Sequence, residues 1–386
     1  MTIWPRIGIL SPLLFALASC GGEASGESPA GNTQLSVTEV ARFDEPWALA
    51  FIPGTRFALI TEKRGSLKLW EEGGEVRGVA GVPQVDHGGQ GGLGDILPAP
   101  DFAASGIVYL SWAEAGPEGS DTRGAAVGMA RLVLGNAPRL DGLRVIWRQH
   151  PKVTGRGHYS HRLAISPDGR YLFIASGDRQ KMAPAQDLSS ALGKIVRLLP
   201  DGTPAPGNPF AAGVSGRGSI SDEIWSLGHR NILGLAFDRE GRLWDLEHGP
   251  AGGDELNLVQ AGRNFGWPLV SQGDHYDGTK IPRHVTRPDI APPAISWNPV
   301  IAPGDFIFYR GDAFPQWRGQ ALVAAMKPAS IVRVAIEGNA ARELARHPMK
   351  HRIRDIAERE DGSVWLLEDG KEHGAGRLLR LEPAKR

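Results

Sequence analysis

The chain is predicted to be an all-β protein built as a β-propeller, and three observations carry that prediction. One local pattern keeps returning: an apolar residue, a turn containing glycine with aspartate or proline, then an alternating apolar strand. Glycine (51 residues) and proline (29) are abundant, while the long runs of Ala, Leu, Glu and Lys that build helical bundles are missing. The stretches between copies hold further short strands and long excursions, as blades carrying long loops require. A β-sandwich or jelly roll is the competing architecture.

Taken in order, the elements begin with residues 1–20, MTIWPRIGILSPLLFALASC, where Arg6 precedes an apolar run ending in small residues. This reads as a secretory signal, too short to persist as a membrane-spanning helix. Its end, Leu17-Ala18-Ser19-Cys20, resembles the bacterial lipobox, in which the cysteine becomes the lipidated first residue of the mature protein. An ordinary cleaved signal with a chance cysteine is the other reading. Cys20 is the only cysteine, which excludes an intrachain disulfide and a covalently attached c-type haem, since that needs C-x-x-C-H. Gly21, in place of an acidic residue, points to an outer-membrane destination on the periplasmic side. Residues 21–35 are small and polar and read as a flexible tether.

Residues 36–386 read as one domain. Two-strand hairpins with period-2 alternation appear as WALAFIPGTRFALITEKRGSLKLW, LAISPDGRYLFIASGDR, LAFDREGRLWDLEHG and IAEREDGSVWLLEDG. Further strands are expected at GIVYLSWAE and ALVAAMKPASIVRVAIEG, and residues 179–222 and 271–300 are expected to be long excursions, of the kind that carry function. With 386 residues, 41% hydrophobic, and 43 basic against 43 acidic side chains, the chain can bury a full core and has no bulk charge bias. A general nucleic-acid or membrane-surface role is disfavoured on that ground.

The most informative stretch is residues 228–268, GHRNILGLAFDREGRLWDLEHGPAGGDELNLVQAGRNFGWP. Arg230 supplies a bidentate cationic fork and Asn231 an amide that can donate and accept. The turn from Gly249 and Pro250 to Asp254 and Glu255 combines small residues, which free backbone carbonyls to face a cation, with carboxylates. A polyanionic ligand held with a hard metal suits that combination, although most Gly/Asp turns bind nothing. His158 lies at the loop-to-strand junction of GRGHYSHRLAIS, where a neutral imidazole can take a proton from a hydroxyl. His161, three residues on, is a candidate rim residue. Arg352 and Arg354 stand two apart on a predicted strand and share a face, where they repel unless an anion or carboxylates lie between them. The bland alternative is a solvated edge with Asp355 as partner. Lys327 closes an apolar strand, where a solvent-facing lysine is the default, and Gln90 sits in HGGQGGLGD, where glycines permit close approach of a ligand. Nucleophile-elbow, dinucleotide, H-E-x-x-H and paired C-x-x-C signatures are absent.

In their order, EPWALAFIP, GQGGLGDI, GHYSHRLAISPDGRYLFIASGDR, AQDLSSALGKIVRLLPDG, GHRNILGLAFD, EHGPAGGDELNLVQAGRNFGWP, FYRGDAFPQWRG and HRIRDIAERED resemble the soluble aldose sugar dehydrogenases that use pyrroloquinoline quinone. The resemblance covers residues 36–383. It implies a six-bladed β-propeller whose long loops form a top-face cleft for the quinone. By motif position it makes His158 the base that takes the proton of the anomeric hydroxyl, with Gln90 and Arg230 near the quinone carbonyls. It gives Asn231, Lys327, Arg352 and Arg354 to holding a ligand with three carboxylates. The carbonyls of Gly249 and Pro250 then match ligands of the Ca²⁺ that binds the quinone, and Glu255 with the Phe265 backbone a second, structural Ca²⁺. This sequence departs from the pattern at Gly157, where some relatives have an aspartate able to orient the base, and at His161, where glycine is usual, with an expected narrowing of the entrance. GLGDILPAPDF is also less regular than the usual stretch after the glutamine.

The expected protein is a lipid-anchored periplasmic enzyme, monomer or homodimer, that oxidises aldoses at C1 to lactones. It would pass electrons to a separate acceptor, because the chain has no haem motif. A Ca²⁺-dependent propeller lactonase, which would not need the Arg352 and Arg354 pair, and a non-catalytic glycan- or protein-binding propeller are the competing functions.

Overall fold

The computed structural model describes residues 34–211, 219–370 and 374–384. The predicted leader with Cys20, and the predicted tether as far as residue 33, lie outside the described residues. Among those described, the strands form six separate four-stranded antiparallel sheets, the blades of a propeller. No described helix is long and apolar enough to cross a membrane.

Five blades are plain meanders. The first runs through Pro46–Phe51, Phe57–Glu62, Ser66–Glu71 and Val76–Val79, and the second through Leu93–Pro98, Ile107–Ala115, Arg123–Val133 and Arg139–Arg148. The third holds Ser160–Ile165, Leu172–Ser176, Lys194–Leu198 and Ile224–Leu227, and the fourth Ile232–Phe237, Leu243–Glu247, Asp254–Val259 and Ile295–Trp297. The fifth holds Pro303–Phe308, Ala321–Ala325, Ser330–Glu337 and Ala340–Pro348. In the sixth, Ile353–Glu358, Val364–Glu368 and Gly376–Pro383 take their outer strand from the other end of the chain, Leu35–Phe43. That pairing closes the ring with backbone hydrogen bonds, leaving no blade short of a strand.

The four predicted hairpins are the inner hairpins of blades one, three, four and six. Blades two and five escaped the pattern because their inner turns are replaced, by a short helix at Phe102–Ser105 and by a longer connection containing the 3₁₀ turn Pro315–Trp317. The two expected excursions also contain blade strands: Lys194–Leu198 falls inside residues 179–222, and Ile295–Trp297 inside 271–300. Both are short and flanked by 3₁₀ turns, so their alternation is too brief to register as a period.

Apolar residues fill the space between neighbouring blades rather than one common centre. Leu59 and Leu110 share one cluster between blades one and two, Trp244 meets Phe308 between four and five, and Trp70 meets Trp365 across the closing seam. The first strands of successive blades touch all round the ring. On the axis they are joined by Arg162, which donates to the carbonyls of Leu233 (2.6 Å) and Gly304 (3.0 Å) and pairs with Asp95 (3.2 Å), Asp355 (2.7 Å) and, more loosely, Asp305 (3.6 Å). Asp355 in turn accepts the Leu49 N–H at 2.6 Å, so one network reaches all six blades. Burial pushes Asp95 up to about 6 against the pull of Arg162.

Candidate active site

At one end of the ring, the residues just beyond the first two strands of blades one, four and six face a common space. In blade one these are Glu45 and Lys63, joined through the Lys63 N–H to the Glu45 carbonyl. The His248 N–H bonds the Asn231 carbonyl in blade four, and the Asp369 N–H bonds the Arg352 carbonyl in blade six. All six line a cavity of about 280 Å³, with Gln90, Trp47, Tyr159, Met326 and Arg354. A hairpin places its ends side by side by register alone, so these pairs follow from strand pairing rather than from special loop geometry.

The same rule explains the partner of His158. Ser160 pairs with Ser176 across the inner hairpin of blade three, and His158 and Asp178 each stand two residues beyond that pair. The His158 Nδ1 and Asp178 Oδ1 lie 2.7 Å apart, both buried. Asp178 also accepts the Gln180 N–H (2.9 Å) and the Trp267 indole N–H (2.8 Å). Burial raises the Asp178 pKa, but the bond to His158 and these donors more than offset it, and the carboxyl is held below its usual value. It is therefore ionised and accepts the Nδ1 proton, which leaves Nε2 with a free lone pair. Burial lowers the His158 pKa, with Arg230 adding to the effect and Asp178 opposing it, so the ring is neutral at neutral pH. Asp178 is thus the orienting carboxylate that Gly157 cannot supply. A Cβ at Gly157 would approach the Gln180 side chain to 2.5 Å.

The Gln90 side-chain oxygen accepts the His158 main-chain N–H at 2.6 Å, tying the cavity wall to the His158 loop. The His158 ring itself is not among the residues lining the cavity; Tyr159 and Ser160, next along the chain, are. His158, Ser160 and His161 all have left-handed backbones (φ 48°, 59° and 51°), as do Arg179, Gln180 and Met182 on the facing loop. Such conformations cost non-glycine residues about 1–3 kcal/mol each and concentrate at functional sites. His161 is not a rim residue. It is buried, stacked on Trp47 with ring centroids 5.1 Å apart, with Nδ1 2.9 Å from Ser111 Oγ, and it forms part of the cavity wall. Its ring fits because position 94 is glycine: a Cβ there would stand 1.9 Å from it.

Arg352 and Arg354 do share a face and both line the cavity. Their common partner is Asp369, at 2.8 Å and 2.9 Å, and Asp355 points instead to Arg162. Burial alone would raise Asp369, but the two guanidinium groups outweigh it and hold the carboxyl at about 2. Asn231 is buried in the same wall. Lys327 is exposed in the turn after Ala321–Ala325 and is not brought into the lining; its neighbour Met326 is.

A second, narrower space shares His248 with the first and is lined by Arg230, Gly249, Pro250, Glu255, Phe265 and Glu247. Gly249, Pro250, Glu255 and Phe265, expected from the sequence at two separate cation positions, thus line one space. Arg230 donates to the His248 carbonyl (3.0 Å) and the Tyr276 hydroxyl (3.2 Å), and its buried Nε has no partner. Gly249 is required as glycine, since a Cβ would lie 2.2 Å from the Gly253 carbonyl oxygen. Asp254, read as charge for the turn, is committed to the backbone: it accepts the N–H groups of Gly249 (2.9 Å), Ile301 (2.8 Å) and Ala302 (2.7 Å). Burial pushes it up to about 6 in spite of those bonds. Glu255 lies directly opposite Glu247 across the strands, and burial first, then Glu247, push its pKa well up. The Phe265 carbonyl accepts from His284 Nε2 at 3.1 Å and has a second lone pair.

These donor sets fit the groups expected from the sequence. Two guanidinium groups, Lys63, Asn231 and Gln90 suit a polycarboxylate between Trp47 and Tyr159. Buried carboxylates beside backbone carbonyls suit a hard divalent cation. Sequence reasoning missed Asp178, Asp369 and Glu247, and the only signal for them was hairpin register.

The family model described as Glucose / Sorbosone dehydrogenase matches residues 43–380. The aldose sugar dehydrogenase YliI of Escherichia coli is 38% identical over 350 residues, covering 89% of this chain and 91% of that protein. The crystal structure of the soluble aldose sugar dehydrogenase from Escherichia coli in its apo form superposes with a TM-score of 0.82 at 36% identity, covering 91% of this chain and 100% of that one. The PQQ-bound aldose sugar dehydrogenase of Streptomyces coelicolor superposes with a TM-score of 0.73 at 26% identity, covering 92% and 99%.

Proposed function

The chain belongs to the glucose/sorbosone dehydrogenase family, and from that premise we propose that it is an aldose sugar dehydrogenase dependent on pyrroloquinoline quinone, oxidising the CH–OH group at C1 of an aldose to the lactone. The observation that carries this reading is the buried His158–Asp178 pair, tied through Gln90 to a cavity lined by Arg352 and Arg354. When bound, the quinone supplies a two-electron acceptor for the hydride that leaves the sugar carbon.

His158 takes the proton of the C1 hydroxyl at Nε2, because Asp178 holds the proton on Nδ1 and burial keeps the ring neutral. Arg230, aligned by its bonds to the His248 carbonyl and Tyr276, offers positive charge where negative charge develops. Arg352 and Arg354, held by Asp369, bind carboxylates of the cofactor, with Asn231 as a hydrogen-bonding partner. Lys327, exposed and outside the lining, is assigned to the same carboxylates by its motif position alone. The carbonyls of Gly249 and Pro250, and Glu255 with the Phe265 carbonyl, hold Ca²⁺. The arginine pair, which a metal-only lactonase does not need, weighs for oxidation.

The enzyme is anchored by lipid on Cys20 at the periplasmic face of the outer membrane and delivers electrons to a separate acceptor. Cys20→Ser is expected to move the protein from the membrane fraction to the soluble fraction, and an unaltered chain already found in the soluble fraction would overturn the anchor. The function is tested by dye-linked oxidation of a panel of aldoses with and without pyrroloquinoline quinone and Ca²⁺. Activity requiring both is expected; no activity and no quinone-induced absorbance change would sink the reading. His158→Gln is expected to lower kcat by about 10²–10⁴-fold with quinone binding retained, and lost binding would make the residue structural.

A further inference from the structure

Within blade four, beside the narrow space, lies a donor set with nitrogen in it. Asp245 and Glu247 stand two apart on Leu243–Glu247 and share a face, and His229 comes from the loop preceding Ile232–Phe237. The His229 Nδ1 is 3.4 Å from Asp245 Oδ2 and 3.5 Å from Glu247 Oε1, and the three ligand atoms all lie within 4.8 Å of one another. His229 and Asp245 are 0% exposed and Glu247 5%.

Two of these atoms, His229 Nδ1 and Asp245 Oδ2, have no hydrogen-bond partner, and neither has Oδ1 of Asn257, the residue paired with Asp245 across the strands. The Asn257 amide N–H₂ donates to Asp245 Oδ1 (3.1 Å), the oxygen away from His229, and to Glu247 Oε1 (3.2 Å), which it shares with the His229 side, while Glu247 Oε2 accepts the Arg230 main-chain N–H (2.6 Å). Among the described residues no lysine or arginine side chain pairs with Asp245 or Glu247. The other histidine nitrogen, Nε2, is 2.8 Å from Ser226 Oγ, and the ring stacks on Phe265 with centroids 4.8 Å apart. A ligating histidine is normally oriented in this way, by a hydrogen bond at the nitrogen facing away from the metal. A tetrahedral ion with ligand bonds of roughly 2.0–2.1 Å separates its ligand atoms by roughly 3.3 Å, close to the two spacings observed. Calcium and magnesium select oxygen, whereas imidazole with carboxylates suits zinc-class divalent ions.

We propose that His229, Asp245 and Glu247 form a zinc-class divalent metal site, distinct from the Ca²⁺ positions at Gly249, Pro250, Glu255 and Phe265. The ion would tie the strand carrying Asp245 and Glu247 to the loop that carries Arg230 and Asn231. Its role is structural and does not depend on the sugar dehydrogenase reading.

The test uses the full chain, freed of metal with chelator, then titrated with Zn²⁺ in excess Ca²⁺. One Zn²⁺ per chain is expected to bind, with an X-ray absorption spectrum that contains an imidazole nitrogen. Asp245→Asn and His229→Gln should each weaken binding at least tenfold, while Glu255→Gln leaves it within a few-fold. The proposal is overturned by no Zn²⁺ uptake in excess Ca²⁺, by a shell of oxygen alone, or by binding lost in Glu255→Gln yet unchanged in Asp245→Asn. The spectrum is read on the unaltered chain, so that arm stands even if a variant fails to fold. Because sugar oxidation is not the readout, failure here and failure of the dehydrogenase reading are separable.

Discussion

On the propeller axis, Asp95, Asp305 and Asp355 surround Arg162; in blade four, no lysine or arginine side chain among the described residues pairs with Asp245, Glu247 or Glu255, although Arg230 lines the same narrow space. Each cluster holds three carboxylates, all buried except Asp305, which is partly exposed. On the axis the polypeptide supplies its own cation, and Arg162 is bonded on every side by carboxylates and carbonyls from other blades. In blade four, Glu247 faces Glu255 directly, and buried donor and acceptor atoms are left unpaired. Like charges opposite one another in the interior are unfavourable unless a counter-charge arrives. The axial cluster is thus a finished structural joint, whereas the blade-four cluster is left without a paired counter-charge from the polypeptide.

The contrast can be broken most forcefully at Arg162. Arg162→Met leaves three buried acids unpaired, and urea denaturation should show a loss of about 3–5 kcal/mol that no divalent cation restores. A loss below about 1 kcal/mol would mean that inter-blade packing alone holds the ring. Blade four should behave in the opposite way. Stripping divalent ions with chelator should lower the melting temperature, and returning Ca²⁺ at a hundred times its Kd should restore about 2.7 kcal/mol. An unchanged melting curve would contradict the cation-receiving reading.

Between the two lies a cation-rich group, Asp369 with Arg352 and Arg354, whose effect on stability runs with pH. The Asp369 pKa is held at about 2, so its contribution is present above the ordinary carboxylate value near 3.8 and is lost as pH falls through 2. Asp95, raised to about 6, acts with the other sign, and its contribution falls away as pH rises from near 3.8 to 6. Asp369→Asn should therefore remove up to about 2 kcal/mol above pH 4 and flatten the acid limb below it, read from denaturation midpoints across pH. An acid limb of unchanged slope would show that other carboxylates govern it. The smallest and most diagnostic effect is expected at Glu247→Gln: a gain of about 1 kcal/mol in chelated protein, where a repulsion is removed, and a loss of similar size with cation present. The same sign in both conditions would place Glu247 outside any cation site.

Much of the fold was legible because blade hairpins are local. Turns containing glycine with aspartate or proline, between alternating strands, exposed four of the six inner hairpins, and the two that were missed have a helix or a long connection in place of the turn. The site was legible where a motif marked it: Gln90, Asn231, Arg352 and Arg354 are in the cavity wall, and Arg230, Gly249, Pro250, Glu255 and Phe265 line the adjoining space. Asp178 and Asp369 were hidden because their roles depend on being opposite His158 and Arg352 in a hairpin, a matter of register that no single motif displays. His161 was misplaced at the rim because its surroundings, Trp47, Ser111 and Gly94, come from two other blades.

By itself the sequence determined what depends on neighbours along the chain: antiparallel hairpins, their turns, the position of His158 at a strand entry and a paired arginine face. Only the tertiary structure decided charge balance and protonation. The Leu49 N–H meets Asp355 across 306 positions, and Arg162 meets Asp355 across 193, because the ring closes. Whether a buried carboxylate is neutralised by arginine, by a proton or by a metal depends on what the closed ring places within a few ångströms of it, and sequence distance carries no record of that.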